Sequence, residues 1–551
     1  MKNKNSLPLA GFVLMILITA CNSVKDPRPN IIIFFSDELA PEYLGAYGGE
    51  IPTPHLDKFA SGAIRFDQAY VSASMCTPSR FALLTGKYPG RCIHPDFKGS
   101  YPKDIPYVIA WNTFLEGNLP TIPGILSENG YFTGMAGKWH LGKLPEGKTI
   151  PVFSPLASLE DPEVEQQLKD YQETVKSEVK RSAGFDYASS VLWGNFDGFI
   201  FESLRYHNFP WITLGAVRFL EDAKKQEKPF FLYVATTAVH GPGHADTFDR
   251  DLRYTLEGKI EEVSQYALPA DSMKARLQTL PGPLRHRFAG MACLDHHFSH
   301  VMKKLKDLGL DKNTIVMFMA DHNVEPGKAT CYEKGIHVPF LMKWPGHFEN
   351  LKDSKIFVSS VDLLPTILEI AGIPLPGATV FDGISILSGL ENPDIPTRSH
   401  VYAESGLGRS VNDGRWKYIA FRYPEDRIEE MKSGKIDYAP NQLNLERQAH
   451  SSIAMEHFPH YFDADQLYDL LNDPFEQHNL AYEPAHAEKL HEMQILLQNQ
   501  LSTFENYYPL GDTAFMRSDY YKPLVNNSLS IGTDYIPWLS RDHGRIVWPP
   551  R

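Results

Sequence analysis

Four apolar runs of strand length, each followed at once by polar side chains, constrain the fold of this chain most strongly. They lie at residues 30–36, 131–136, 230–237 and 314–320. Unbroken apolar runs of this length are typical of strands that are buried on both faces. Stretches with helical periodicity separate them. This alternation predicts an α/β fold with a mostly parallel central sheet flanked by helices.

After about residue 382 the pattern changes to short, alternating runs at 401–404, 410–411 and 416–421. Such runs predict a smaller C-terminal α+β subdomain that carries an antiparallel sheet. The charged stretch 160–181 predicts a helix in an exposed insertion.

Polar side chains follow each of the four long runs. They are Asp37 and Glu38, Lys138 and His140, His240, and Asp321 and His322. Because the carboxyl ends of parallel strands line one crevice, we expect these side chains to share one pocket. Carboxylates gathered in one site need a cation, and oxygen-rich ligand sets select Ca²⁺ or Mg²⁺. The alternative is that each acid only caps the turn or helix that follows its strand.

The stretch 74–86 predicts a short helix with a cysteine at its start. Pro78 suits the first turn of a helix, and Gly86 suits its C-terminal cap. Cys76 then lies where free N–H groups and the helix dipole favour an anion, and Arg80 follows one turn later. Lys138 and Lys328 are further cationic candidates, and His140 and His240 are candidates for proton transfer.

Composition and the N-terminal residues limit the partners. A formal net charge of −13 over 551 residues argues against binding to nucleic acid. Lys2 and Lys4 precede an apolar run, 7–20, that is too short to span a membrane and ends in small residues before Cys21. We therefore expect an exported bacterial lipoprotein, cleaved after residue 20, with its only membrane contact a lipid on Cys21 at the periplasmic side or the cell surface. The alternative is an ordinary signal peptide followed by a chance cysteine.

Two stretches resemble the signatures of the formylglycine-dependent (type I) sulfatases, a family of the alkaline-phosphatase superfamily. The first is Cys76-Thr77-Pro78-Ser79-Arg80 followed by Leu84-Thr85-Gly86, and the second is Gly130-Tyr131-Phe132-Thr133-Gly134-Met135-Ala136-Gly137-Lys138-Trp139-His140. Pieces at 53–57, 238–242, 327–339 and 467–480 resemble other landmarks of the family. The resemblance covers the chain from Asn30 to about Ala481.

This resemblance implies an alkaline-phosphatase-like α/β fold and hydrolysis of sulfate esters. It implies that a separate maturase oxidises Cys76 to formylglycine, whose hydrated aldehyde attacks sulfur while Arg80 stabilises the hydrate. It implies a Ca²⁺ ion held by Asp37, Glu38, Asp321, His322 and the oxygen derived from Cys76. Lys138 and Lys328 would hold the sulfate oxygens, His140 would assist the formylglycine hydroxyl, and His240 would protonate the leaving oxygen.

Two positions depart from the usual family pattern or leave a choice. Glu38 stands where the family usually has a second aspartate, so its role as a ligand is less certain than that of Asp37. At the later aspartate, Asn323 is an alternative ligand to His322. Among the remaining cysteines, Cys92, Cys293 and Cys331 allow at most one disulfide.

With this resemblance, we divide the chain into a signal peptide (1–20), a linker after the lipidated cysteine (21–28), a catalytic sulfatase domain (29–385), a C-terminal subdomain (386–506) and a tail packed on the surface (507–551). The expected substrate is sulfated carbohydrate. Candidate sugar contacts in predicted loops are Trp193, Arg205, His207, His244 and Arg409. The alternatives are an arylsulfatase for small aryl sulfates, a phosphonate or phosphate ester hydrolase of the same superfamily, and a catalytically dead glycan-binding lipoprotein.

Overall fold

The computed structural model describes residues 26–511, apart from 102–106, 118, 155, 196–200, 202–203, 325, 378, 393–394, 396, 423–453, 455–456, 462, 507 and 509. The predicted signal peptide, Cys21 and almost all of the tail lie outside the described residues. In the part of the chain that is described, no helix is both long enough and apolar enough to cross a membrane.

The described residues form sixteen strands and twelve α-helices. The strands are β1 (Asn30–Asp37), β2 (Ile64–Phe66), β3 (Ala69–Tyr70), β4 (Phe132–Lys138), β5 (Tyr187–Leu192), β6 (Phe230–Val239), β7 (Tyr254–Thr255), β8 (Gly258–Lys259), β9 (Thr314–Ala320), β10 (Phe340–Lys343), β11 (Asp353–Ser354), β12 (Val358–Ser359), β13 (Val401–Ser405), β14 (Gly408–Asn412), β15 (Trp416–Phe421) and β16 (Asp465–Asp469). The helices are α1 (Pro54–Ala60), α2 (Cys76–Thr85), α3 (Pro95–Ser100), α4 (Ile122–Glu128), α5 (Pro162–Ala183), α6 (Phe209–Gln226), α7 (Ala270–Gln278), α8 (Gly282–Asp307), α9 (Glu333–Ile336), α10 (Leu363–Ile370), α11 (Leu387–Glu391) and α12 (Ala487–Leu501).

An eight-stranded sheet forms the centre of the larger part, in the order β11-β2-β10-β9-β1-β6-β4-β5. Strands β9, β1, β6, β4 and β5 run parallel, whereas β10 is antiparallel to both of its neighbours. The four strands predicted from the apolar runs are therefore four adjacent strands at the middle of this sheet. Their carboxyl ends share one edge, which confirms the prediction of a mostly parallel α/β sheet.

Helices cover this sheet because its strands are apolar on both sides. Residues 31–35 of β1 are wholly buried. The ring of Phe34 packs edge-on against Phe298 of α8, with centroids 5.2 Å apart. Helix α6 contacts α8, β4 and β5, and α2 packs with α10 and α4. Burial at both faces is what the unbroken apolar runs require.

The prediction of an exposed insertion at 160–181 is partly wrong. Helix α5 has a charged outer face, but Val164, Leu168, Val175 and Val179 are buried. The helix packs against β5, a strand that the sequence did not reveal. Helix α5 is thus an amphipathic layer helix that covers the end of the central sheet.

The predicted C-terminal antiparallel sheet is confirmed, with the order β13-β14-β15-β16. Helix α12 packs on β14 and β15. The main chain of Glu404 in β13 donates a hydrogen bond to the carbonyl of Ser72, at 2.8 Å. The small sheet is therefore joined to the segment that leads into α2.

Candidate active site

Helix α2 places Cys76 at its first turn. Pro78 lies in that turn, where its missing N–H costs no intrahelical bond. The helix ends at Gly86, which has a φ of 63° and would bring a Cβ to 3.0 Å from the Cβ of Leu364. Cys76 is only 1% exposed. The predicted start and end of this helix are confirmed, and the cysteine lies in the positive field of a helix N-terminus.

Four buried side chains converge at this point. One ligand atom from each of Asp37, Cys76, Asp321 and His322 lies within 4.8 Å of the others. The Cys76 Sγ lies 3.4 Å from Asp37 Oδ1 and 3.2 Å from His322 Nε2. Asp37 ends β1, and Asp321 and His322 directly follow β9. The shared sheet edge therefore brings together residues that are almost 300 positions apart in the sequence.

The ring of His322 is oriented as a ligand would be. Its Nδ1 lies 2.7 Å from the carbonyl oxygen of Asn323, which can only accept a hydrogen bond. The proton therefore resides on Nδ1, and the lone pair of Nε2 faces Cys76 and the carboxylate of Asp321, 3.5 Å away. The side chain of Asn323 points elsewhere, because its amide donates to the carbonyl of His337 and its oxygen accepts from the N–H of Val324. The geometry favours His322 over Asn323.

Two buried cations balance the aspartates of this cluster. Lys138 Nζ donates to Asp37 Oδ2 at 2.6 Å. Arg80 donates to Asp321 Oδ2 from Nε at 3.1 Å and from Nη2 at 2.8 Å. Burial opposes ionisation of the Asp37 carboxyl, but the neighbouring charges, that of Lys138 foremost, hold its pKa well below its usual range. Asp37 is therefore a carboxylate at neutral pH.

Glu38 lies outside the four-residue cluster. Its Oε2 accepts from Lys328 Nζ at 2.6 Å and lies 3.5 Å from His240 Nε2. Its main-chain N–H donates to Asp321 Oδ1 at 2.9 Å, with a φ of 59°. The structure does not group this carboxylate with the other predicted ligands, so its role in metal binding stays a prediction.

Both candidate proton-transfer histidines are half-buried, and their surroundings favour the neutral form of each ring. Burial lowers the pKa of His140 well below its usual value, and the charges of Lys138 and Arg80 lower it further. Burial also lowers the pKa of His240, and Lys328 adds to the effect. The Nδ1 of His240 contacts the carbonyl of Gly241 at 2.8 Å, which leaves Nε2 directed toward Glu38. An anion bound beside these lysines would favour the protonated form of His240.

Asn195 is a site residue that the sequence analysis missed. Its Oδ1 accepts a hydrogen bond from Lys138 Nζ at 2.8 Å. It follows β5, so it obeys the same rule that identified the other polar residues at strand ends. Because β5 was not predicted, its polar end was not considered either.

The five candidate sugar contacts have different environments. Trp193 is half-buried, and its carbonyl accepts from the N–H of His140 at 2.9 Å, whereas Arg205 is exposed. The other three side chains are buried, and their role as sugar contacts stays a prediction. His207 stacks on His244 with ring centroids 3.8 Å apart and contacts Thr237 Oγ1 and the carbonyl of Pro242, each at 2.8 Å.

Arg409 is not in a loop but in β14, where it is wholly buried. Its guanidinium donates to the carbonyl oxygens of Gly408 at 2.7 Å and Tyr107 at 2.8 Å. It also lies over the rings of Tyr107 and Tyr508. These contacts make it a structural residue of the C-terminal sheet.

Comparison with known proteins decides the family. The sulfatase family model matches residues 29–373. The chain belongs to the sulfatase family. A second model, the C-terminal region of N-sulphoglucosamine sulphohydrolase, matches residues 327–437. The chain is therefore a sulfuric ester hydrolase with the fold of the alkaline-phosphatase superfamily.

This sulfatase resembles enzymes from animals and bacteria over most of their length. Human arylsulfatase A is 29% identical over 507 residues, which cover 85% of this chain and 86% of that protein. N-acetylgalactosamine-6-O-sulfatase from Bacteroides thetaiotaomicron is 26% identical, covering 88% of this chain and 96% of the relative. An ulvan-active sulfatase from Formosa agariphila is 28% identical over 84% of this chain and 78% of its own length.

Solved structures agree with this sulfatase in fold. One holds its substrate, D-glucosamine-2-N,6-O-disulfate, and matches 88% of this chain and all of its own, with a TM-score of 0.58 at 20% identity. Another, Ps i-CgsB in complex with a neocarrahexaose, matches 90% of this chain and 97% of its own with the same TM-score. At these identities the likeness concerns the fold of the sulfatase.

The four cysteines within the described residues are free thiols. They are Cys76, Cys92, Cys293 and Cys331, and all are buried. No disulfide joins any pair among these described cysteines.

Proposed function

We propose that this sulfatase hydrolyses sulfate esters on sulfated carbohydrate, using a formylglycine made from Cys76 and a bound Ca²⁺ ion. The observation that carries the proposal is the buried cluster of Asp37, Cys76, Asp321 and His322 at the start of α2. Such a cluster combines a modifiable side chain with carboxylates that need a cation. The lysines beside it can hold an anion.

An unmodified Cys76 is poorly suited to attack sulfur. Burial raises the pKa of its thiol, and the neighbouring Asp37 carboxylate raises it further. The residue would therefore remain a neutral thiol at physiological pH, whereas the thiolate is the reactive form. Oxidation to formylglycine removes this difficulty, because the hydrated aldehyde supplies an oxygen nucleophile and a second hydroxyl that lets the aldehyde re-form.

The donor set fits a divalent cation. Asp37 and Asp321 are buried carboxylates, and His322 directs a lone pair at the same point. Two carboxylate oxygens favour Ca²⁺ or Mg²⁺, and the oxygen that replaces the Cys76 sulfur makes the set harder still. When bound, the cation supplies Lewis-acid polarisation of the sulfate.

Lys138 and Lys328 are proposed to bind the sulfate oxygens. Three carboxylates and three side-chain cations meet in and beside the cluster, so their formal charges cancel: Asp37, Glu38 and Asp321 against Arg80, Lys138 and Lys328. A divalent cation makes the site net positive, which suits a sulfate monoester. Both lysines already donate hydrogen bonds in the free protein, and an incoming sulfate would share those donors.

The histidines are proposed to move protons at opposite ends of the reacting group. His140 follows β4 with a φ of 56°, a conformation that few non-glycine residues adopt and that is often found at functional sites. It would take a proton from the formylglycine hydroxyl. His240 would protonate the leaving oxygen from Nε2, the nitrogen that lies 3.5 Å from Glu38 Oε2. Arg80 would orient the hydrate.

Sulfated carbohydrate is proposed because of the relatives and two candidate residues in the segment after β5. The similar bacterial proteins are named for action on N-acetylgalactosamine-6-O-sulfate and on ulvan. Half-buried Trp193 and exposed Arg205 belong to the segment that follows β5. An aromatic face and a guanidinium are suited to a sugar ring and a further anionic group.

Two measurements test this function. Purified enzyme is offered matched sulfate and phosphate esters of the same sugar, with release of inorganic sulfate or phosphate as the readout. We expect turnover of the sulfate ester, and a preference for phosphate would contradict the proposal. Intact-mass analysis of the peptide that contains Cys76 should show formylglycine in enzyme from the native host, made by a separate maturase. A fully unmodified, inactive Cys76 there would instead support a glycan-binding lipoprotein.

We also propose export and lipid anchoring through Cys21. The support is the basic residues and the apolar run 7–20 that end directly at this cysteine. Metabolic labelling with a fatty acid, followed by fractionation, should place label and enzyme in the membrane fraction. Replacement Cys21→Ala should abolish the label, and label that persists would contradict the anchor.

A further inference from the structure

Two histidines meet on α8, and a third lies at the start of the neighbouring helix α1, apart from the residues described above. His296 and His300 lie one turn apart on α8, and their Nε2 atoms are 3.1 Å apart. Their rings meet edge to face, with centroids separated by 4.5 Å. Both side chains are half-buried, and His55 on α1 is exposed. Histidines at positions i and i+4 of a helix present their rings on one face, where both can reach the same ligand.

The third histidine is tied to the same turn of α8. The main-chain N–H of His55 donates to Asp295 Oδ1 at 3.0 Å, and Asp295 directly precedes His296. The next residue, Leu56, donates to the same oxygen at 2.7 Å. These bonds fix the start of α1 beside the turn of α8 that carries His296, and binding of a shared ion by His55 would require its exposed side chain to turn toward the pair.

The separation of the two nitrogens matches a shared metal ion. Zn–N bonds of 2.0–2.1 Å place two nitrogen ligands of a tetrahedral ion roughly 3.3 Å apart. The observed 3.1 Å requires almost no movement of the helix. A hydrogen bond with the main chain of Tyr266 also holds the ring of His296. A fixed ring is what partners outside the coordination sphere provide in metal sites.

Both rings are available as neutral ligands at physiological pH. Burial lowers the pKa of His296 to about 4, and the nearby His300 contributes. Burial likewise lowers the pKa of His300, with Lys303 adding to the effect. A neutral imidazole keeps the lone pair that a metal needs, so proton competition is weak. The charge of Lys303 on α8 acts on His300, while the Asp295 carboxylate is engaged by the α1 main chain.

We propose that His296, His300 and His55 form a second metal site that binds one transition-metal ion of the nitrogen-preferring class, such as Zn²⁺. Imidazole ligands suit Zn²⁺, Ni²⁺ and Cu²⁺, whereas the carboxylates at the sheet edge suit Ca²⁺. The two sites therefore select different ions, and this one joins α1 to α8. It is independent of the reaction proposed above.

The test is a calorimetric titration of the full chain with ZnCl₂. The protein carries no polyhistidine tag, and excess Ca²⁺ occupies the carboxylate site throughout. We expect one high-affinity binding event that is absent from His300→Ala. His478→Ala is the matched control, because the side chain of His478 is 83% exposed and belongs to a different segment. Equal Zn²⁺ binding by the wild type and by His300→Ala would overturn the proposal.

Two further variants keep the test decisive. His296→Gln should also lose the event while preserving a side chain of similar size, which guards against a misfolded alanine variant; circular dichroism and the Tm without Zn²⁺ check the fold. His55→Ala should bind Zn²⁺ more weakly than the wild type, and unchanged affinity would contradict the three-histidine site. Co²⁺ should give the visible absorption bands of a nitrogen-ligated ion in the wild type and not in His300→Ala.

Discussion

The carboxyl edge of the central sheet and the C-terminal sheet both bury charged side chains, but they use them differently. At the sheet edge, Lys138 and Arg80 hold carboxylates around a point where four ligand atoms converge. In the C-terminal sheet, Lys417 Nζ is divided between Glu333 at 3.1 Å and Glu476 at 2.8 Å. At the sheet edge, the ligand atoms remain directed at one point. In the C-terminal sheet, the charge of Lys417 is engaged by two carboxylates.

This contrast shows that burial of charge does not by itself identify a functional site. Burial raises the pKa of Glu476 to about 7 despite the neighbouring Lys417, so a strongly shifted group is found where no reaction is proposed. What distinguishes the sheet edge is topology. Its residues follow the carboxyl ends of parallel strands and face the start of α2. Substitutions at the sheet edge should therefore impair catalysis, and substitutions in the C-terminal sheet should impair stability.

The largest expected effect is that of Cys76→Ala. Removing the proposed nucleophile should lower kcat by about 10⁴-fold or more, since residual turnover would come only from binding and electrostatics. Because the lost thiol is small, the free energy of unfolding should fall by only about 1 kcal/mol. Release of sulfate and the Tm measure the two quantities. The control is Cys293→Ala, another buried cysteine, and it should remain active. Comparable activity of the two variants would contradict the mechanism.

The second prediction compares two buried lysines directly. Lys138→Met should lower kcat/KM by about 10²–10³-fold, because it removes a donor to the charge that develops on the sulfate. Lys417→Met should leave kcat/KM within about twofold of the wild type. It should lower the free energy of unfolding by about 3–5 kcal/mol, because it leaves two buried carboxylates without their cation. Activity is measured at a temperature at which both variants are folded, and denaturant unfolding gives the stability. Equal losses of activity in Lys138→Met and Lys417→Met would contradict the proposal that only the sheet edge takes part in catalysis.

The third prediction concerns pH. Burial and the charge of Lys328 hold the pKa of His240 below its usual value, so its acid form declines as pH rises. For a substrate with a poor leaving group, kcat/KM should therefore fall by about tenfold per pH unit on the alkaline side of that pKa. An aryl sulfate with a good leaving group needs no proton and should show a flatter profile. His240→Gln should remove the difference between the substrates. A steep profile that survives in His240→Gln would assign the titration to another group.

The sequence predicted the centre of the fold and most of the site for one physical reason. Strands buried on both faces leave long apolar runs, and their order fixes which polar residues share an edge. Strand β5 was not predicted because its residues, Tyr187–Leu192, mix polar and apolar side chains at the end of the sheet. Asn195 was missed with it, and the buried face of α5 was taken for an exposed helix.

Arg409, His207 and His244 show a second limit of sequence analysis. A polar residue between elements looks like a surface residue when only its neighbours in the chain are known. Burial of these side chains comes from distant partners, such as Tyr107 and Tyr508 around Arg409. Glu38 shows a third limit: its carboxylate contacts Lys328 and lies outside the four-residue cluster, which residue type alone does not predict.

The smallest expected effect is that of Arg205→Ala, and it extends the comparison to the surface. If the exposed guanidinium of Arg205 contacts an anionic group of the sugar, its loss should raise KM by about tenfold with little change in kcat, the value of one charge-assisted hydrogen bond. High salt should reduce the difference, because exposed charges are screened. Arg409→Met should do the reverse: its buried guanidinium contacts main-chain carbonyls, so the Tm should fall while KM stays constant. Kinetics on a sulfated disaccharide at low and high ionic strength measure the first effect. An unchanged KM in Arg205→Ala would contradict a sugar contact at Arg205, and the proposed subsite would then rest on the aromatic face of Trp193 instead of a charge.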